Sequence, residues 1–236
     1  MFHRKDVVPI SCDLIANISV VRVTKVNSCG APVTGATSGF VADCFSSLAM
    51  NVNIDEQDDV IYRAANGSLC GVKRGCPAFL GYDIEWNFYT VSPELTDILT
   101  GNPIVMDQAG EPVGNDMCGI NCSAGLAMEF WSELIQPCPT TGNKRYLYGL
   151  LPWITNAYIN DLEIGSEAVS FQLVGSTRSG GQWGTGPYNV VNTGPGETVP
   201  GPMLTPLGST CHRRMQLTQV TPPSASCDYV PVPVVP

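Results

Sequence analysis

Two histidines, ten cysteines and a scatter of carboxylates are the residues of this 236-residue chain best suited to chemistry. Nucleophilic catalysis with an imidazole base requires a histidine held within reach of the nucleophile. His3 lies near the N-terminus, and His212 directly follows Cys211. Neighbouring residues of a strand face opposite ways, so Cys211 and His212 do not form a catalytic pair. A glycosidase-type pair of acids must face one cleft about 5–10 Å apart. Asp83 and Glu85 instead share the solvent side of an alternating segment. The run Asp55-Glu56-Gln57-Asp58-Asp59 offers oxygen ligands but lacks the spacing of a calcium loop, and reads as a charged loop. Ser179-Gly180-Gly181-Gln182-Trp183-Gly184 lacks the lysine and the strand-to-helix setting of a phosphate loop.

Thiols come closest to a metal site. Of the pairs Cys70/Cys76 and Cys118/Cys122, only the second has the short spacing of a zinc knuckle. Convergence of Cys70, Cys76, Cys118 and Cys122 would be needed for a four-thiol site; a local disulfide within either pair is the alternative. The expectation is a non-enzyme with no catalytic residues, no cofactor and no metal.

Composition narrows the class. Charged residues make up 14% of the chain, against about 25% in an average soluble domain. With 44% apolar residues, the chain can build a core, and so little charge implies that surface is hidden against other subunits. Net charge is −9 with 12 Lys and Arg, which disfavours sequence-independent DNA binding. No run of about 18 apolar residues suggests a membrane helix. Val7-Val8-Pro9-Ile10 is too short for a signal-peptide core, so function without export is expected. On that reading the cysteines are first of all buried free thiols; disulfides formed after release into an oxidising medium come second.

The elements that must position these residues are mostly strands. Leu48, Met50, Val52 and Ile54 alternate with polar residues, as do Leu80, Tyr82, Ile84, Trp86 and Phe88, and Val169, Phe171 and Leu173. Ile18–Val26, Val60–Ala64, Tyr146–Leu151 and Tyr158–Ile164 are further strand candidates. Ala124–Ile135 fits both periods and is assigned to strand from its surroundings. One helix is well marked: Ser92 caps, Pro93 and Glu94 open it, Leu95, Ile98 and Leu99 form its stripe, and Gly101 ends it. Asn66-Gly67 reads as a type I′ turn, and Asp55–Asp59 as the tip of an extended hairpin. Gly175–Leu207 is rich in Gly, Pro, Ser and Thr, Ser179–Gly184 within it reads as loop, and the Pro-rich end from Tyr229 to Pro236 reads as an extended arm that docks on a neighbour.

Several pieces occur in an order that matches one family. Ala65-Asn66-Gly67-Ser68-Leu69-Cys70, Cys76, the strand through Asn87, and Ser92–Gly101 resemble the major tail tube proteins of long-tailed (siphovirus-type) actinobacterial phages. Val105–Gly110, Val113-Gly114 and Gly184–Tyr188 are similar to the same family. The resemblance covers roughly residues 40–190.

The resemblance implies a mainly β fold: a tail-tube-type β-sandwich or half-barrel with one short flanking helix at about 92–100 and a long hairpin loop. A single domain would span 1–236, with an N-terminal arm over 1–16 and a Pro-rich C-terminal extension over about 195–236. Six copies would close into a ring, and rings would stack into the tail tube through which DNA is ejected. Partners would be other copies, the tape measure protein and tail-end proteins, and passing duplex DNA without specific binding, with no membrane. The place of work would be the virion tail, assembled in the bacterial cytoplasm. Asp55, Glu56, Asp58 and Asp59 are then expected at contacts between rings or facing the lumen. The alternatives are another virion β-protein, such as a capsid decoration or distal tail protein, and an extracellular disulfide-stapled immunoglobulin-like binding module.

Overall fold

A computed structural model describes residues 14–89, 92–120, 122–123, 125–135, 144–160, 169–194 and 199–234. In chain order the elements are β1 (Leu14–Val26), β2 (Gly35–Ala42), β3 (Phe45–Asp55), β4 (Val60–Arg63), β5 (Leu69–Lys73), β6 (Ala78–Phe88), α1 (Pro93–Thr100), β7 (Ile104–Met106), β8 (Pro112–Asn115), β9 (Gly125–Ile135), β10 (Tyr146–Ile159), β11 (Phe171–Thr177), β12 (Val191–Thr193), β13 (Val199–Gly201), β14 (Arg214–Thr218) and β15 (Val230–Val232). The protein is mainly β, with one short helix among the described residues. Its principal sheet is antiparallel and runs β15-β2-β1-β9-β10-β11-β6-β3, with β14 also paired to β10; β4–β5, β7–β8 and β12–β13 are separate two-stranded pairs.

Strands β1, β9 and β10 form the centre of this sheet and are covered on both faces. On one face Val21, Val23, Leu126, Met128, Phe130 and Leu151 meet Trp86 and Ile84 of β6 and Leu95, Ile98 and Leu99 of α1. On the other face Ala127, Trp131, Tyr148 and Leu150 meet Trp183, Tyr188, Met203 and Leu207. The described part of the Gly- and Pro-rich stretch from Gly175 to Leu207, within which Ser179–Gly184 is expected to be loop, therefore covers a second core. Its few large apolar residues are spaced among glycines and prolines, and each fully buried one contributes about 1.5–3 kcal/mol.

Two-sided burial explains why β9 fits both periods. From Gly125 to Ser132 every residue is buried, and a strand covered on both faces loses its alternation. Tyr146–Leu151 and the start of Tyr158–Ile164, read as separate strands, belong to one long β10; residues 161–164 lie outside the described residues. Pro152 removes one ladder donor, and the register shifts between Leu151 and Ile154. Asn156, with φ of 54°, lies in a second irregularity between Thr155 and Tyr158.

The helix forms as its cap residues dictate. Ser92 Oγ accepts from the Leu95 N–H at 3.1 Å, and Gly101 turns left-handed at φ 69°.

The C-terminal end differs from the expected arm that docks on a neighbour. Residues 1–13 of the expected N-terminal arm lie outside the described residues, but from Leu14 the chain is already in β1. At the other end β15 pairs with β2 of the same chain, and Val232 is buried. The Tyr229 hydroxyl donates to Asp97 Oδ2 at 2.5 Å, and Lys25 Nζ bonds the same oxygen at 2.6 Å. The C-terminal segment thus docks at home as far as Val232. Proline suits it there, because the short β15 ends the sheet and needs donors on one side only.

Gly149 faces Phe130 across β9–β10, and a Cβ built on it would lie 2.0 Å from Phe130 Cζ. Gly149→Ala must push this buried ring aside. We expect a loss of roughly 1–3 kcal/mol from overpacking, read as a lower urea midpoint with an unchanged slope.

Candidate assembly surface

The long connection from β3 to β6 supplies the most unusual surface. Strands β3 and β6 pair from Phe45↔Phe88 to Asp55↔Ala78, with irregularities near each end. Between them residues 56–77 leave the sheet as an arm that contains its own hairpin, β4–β5. Beyond the core the alternation of β3 and β6 continues, but nothing within the described chain covers it. Val52 is 63% exposed and Leu80 55%, although both belong to expected core faces. Along the arm Ile61, Tyr62, Leu69 and Val72 are exposed as well. Isolated exposed apolar residues are ordinary, but a concentrated set marks an interaction surface.

Strand β3 is also a sheet edge. It is 11 residues long and carries one ionisable side chain, Asp55, with neither lysine nor proline. Natural edge strands of this length are normally blunted by charge, proline or a cover, because unpaired N–H and C=O groups recruit other strands. The opposite edge, β15, is the short Val-Pro-Val segment.

The acidic run lies at the base of this arm, not at its tip as expected. Asp55 is the last residue of β3 and accepts from Gln57 Nε2 at 2.8 Å. Asp59 Oδ1 accepts from the Gly75 N–H at 2.9 Å, tying the outgoing and returning chain together. Glu56 and Asp58 are exposed beside them. The tip is instead the β4–β5 turn. Its geometry is not type I′, which needs positive φ at two successive residues. Asn66 has no positive φ; Gly67 alone does, at 83°, and its N–H bonds the Ala64 carbonyl at 2.8 Å. This is a three-residue loop closed by a glycine bulge, which positions Asn66 to hold Ser68 through its Oδ1.

At the root of the arm His212 stands edge-on to Phe79, ring centroids 5.0 Å apart. Its Nδ1 lies 3.0 Å from Thr177 Oγ1. Burial lowers the His212 pKa from its ordinary 6.5, so the imidazole favours its neutral form in the fold.

The described cysteines are not buried, and Cys70, Cys76, Cys118 and Cys122 do not converge on one site. All eight described cysteines, Cys29, Cys44, Cys70, Cys76, Cys118, Cys122, Cys211 and Cys227, are exposed free thiols; Cys12 and Cys138 lie outside the described residues. The expectation of buried thiols fails because these residues lie mostly in turns and connections that the apolar core does not reach. Cys118 and Cys122 line one open cavity of about 610 Å³ near Gly101 at the end of α1, while Cys70 and Cys76 belong to the arm. Among the described residues no group of three or more His, Cys, Asp or Glu could hold a metal ion.

Sequence reasoning missed a buried polar cluster in the central strands of the sheet. Arg22 and Glu129 are direct partners across β1 and β9 and form a two-pronged bond, Nε–Oε2 2.6 Å and Nη2–Oε1 2.7 Å. The Tyr148 hydroxyl donates to Glu129 Oε1 at 2.8 Å. The Tyr188 ring stacks 3.3 Å from the guanidinium carbon, and its hydroxyl bonds Thr24 Oγ1 at 2.9 Å. Burial lowers the Arg22 pKa, but the charge and hydrogen bonds of Glu129 outweigh that and the net direction is up. Burial, then Glu129, raises Tyr148 well above its ordinary value; burial pushes Tyr188 up to about 12. Both phenols stay neutral at physiological pH, so the cluster is one balanced ion pair held by hydroxyls. The available signal was a lone Arg22 and a lone Glu129 inside two apolar runs.

No family model matches this chain, and no curated protein matches it.

Two predictions follow from this geometry. Arg22→Met or Glu129→Leu alone leaves a buried charge unpaired and should cost about 3–5 kcal/mol, whereas the double replacement should lose far less; chemical denaturation of the three variants measures this. For His212, protonation opposes folding, since its folded pKa lies below the unfolded one. Its contribution is complete above about pH 6.5 and is lost as pH falls below that value. The stability lost between pH 7.5 and 5.5 should be smaller in His212→Asn than in the wild type, and equal losses would contradict the assignment.

Proposed function

We propose that this protein is a structural, non-catalytic subunit that closes into hexameric rings, and that the rings stack into a tube of the tail tube kind. The observation that carries this reading is the uncovered β3 edge continuing into an arm with exposed apolar side chains. Ring closure would satisfy the edge by pairing it with the next subunit, and stacking would cover the arm. A head-to-tail contact of this sort repeats without limit and so yields a tube. The low charge of the chain fits extensive burial between copies, and its net charge of −9 fits a lumen past which duplex DNA slides without adhering. On this reading the protein works in the virion tail after assembly in the bacterial cytoplasm. It would meet the tape measure protein inside the tube and tail-end proteins at its two ends. Asp55, Glu56, Asp58 and Asp59, at the arm base, would lie near the rim where one ring meets the next.

The test is to load the edge with charge. Val52→Lys with Ile54→Lys changes two exposed side chains of β3 and should alter monomer stability by no more than about 0.5 kcal/mol. Sedimentation velocity should show wild-type protein as large assemblies and the double variant as a monomer. Equal assembly of the two proteins would overturn the edge as the ring contact.

A further inference from the structure

Free cysteine is among the most buried of residue types, yet all eight described thiols are on the surface. Two of them belong to the arm. Cys70 stands in β5 beside the exposed Leu69, and Cys76 lies where the arm returns to β6. A third, Cys44, sits at the far end of the same strand pair. Its carbonyl accepts from the Tyr89 N–H at 3.0 Å, next to the Phe45↔Phe88 pairing, whereas the arm leaves from Asp55↔Ala78. The 11 residues of β3 separate these ends, roughly 35 Å at strand rise. A disulfide needs Cα atoms within about 7 Å, so Cys44 is far from any bridge to Cys76, the arm thiol nearest the β6 end, within one copy. In the stacked-ring reading a head-to-tail contact would remove that separation, because it would bring the arm end of one subunit to the opposite end of the next.

We propose that Cys44 of one copy and an arm thiol, Cys70 or Cys76, of its neighbour form an inter-subunit disulfide that locks the assembled state. This rests on the stacked-ring reading above. The oxidant is a low-molecular-weight disulfide. One protein thiolate attacks it to give a mixed disulfide and release one small thiol. The second protein thiol then displaces the other small thiol, so two protein S–H groups become one S–S bond and the small disulfide becomes two thiols. The bond forms only where assembly holds the two sulfurs together, and a reductant reverses it.

The experiment uses the full chain, assembled in reductant, then transferred to glutathione disulfide and run on non-reducing gels, with peptide mass mapping of the bands. We expect a ladder of cross-linked chains whose mapped bonds join Cys44 to Cys70 or Cys76. Cys44→Ser, and Cys70→Ser with Cys76→Ser, should each reduce the ladder at least fivefold while leaving assembly size in reductant unchanged. Assemblies that run as single chains, bonds that map to other cysteines, or a Cys70–Cys76 bridge within one chain would overturn the lock and leave the ring reading standing. A chain that stays monomeric in reductant would overturn both.

Discussion

Burying β1, β9 and β10 on both faces is the constraint on which the rest of the fold depends. A strand in that position offers no face to water, so every polar group it carries needs a partner inside. For the charged groups the chain meets this by placing a buried ion pair on directly opposed residues, while Trp131 Nε1 of β9 is left without a hydrogen-bond partner. Arg22 and Glu129 satisfy each other across the β1–β9 ladder, and Tyr148 and Tyr188 complete the shell. Tyr188 belongs to the irregular stretch that covers the second core. The cluster therefore does more than neutralise itself: it fixes which loop lies over which strand.

The same arrangement decides what remains at the periphery. With the helix, β6 and the irregular layer all drawn to the central strands, little apolar cover is left for the far end of the sheet. Strand β3 ends it with an unblocked edge, and the arm beyond carries apolar side chains into solvent. A monomer normally spends charge or proline on such an edge. Here proline sits at the opposite edge, in β15, where no further pairing is needed. This asymmetry, one edge closed and one open, is the physical basis for reading the molecule as a subunit of something larger.

Legibility in the sequence followed how many faces of an element are buried. The helix was readable to the residue because Ser92, Pro93 and Gly101 act locally. Strands β3 and β6 kept their alternation and were found, yet alternation could not reveal that its outer half, Val52 and Leu80, lies beyond the core. β9 lost its period to two-sided burial, and Pro152 made one long strand look like two. The C-terminal segment reads as an arm for a neighbouring subunit because only tertiary pairing with β2 of the same chain shows otherwise. The acidic run lies at the base of the arm and not at the expected tip for a similar reason: β3 pairs with β6, far along the chain, and not with the neighbouring β4. Charge partners at such sequence distance, like Arg22 and Glu129, leave only the trace of a solitary charge within an apolar run.

Electron microscopy of the purified full-length chain, by negative stain with averaged end-on views, tests the central claim most directly. The account predicts hollow tubes of uniform width whose end-on averages show six subunits around an open centre. Compact single subunits at every concentration and ionic strength, or filaments without a lumen, would contradict it.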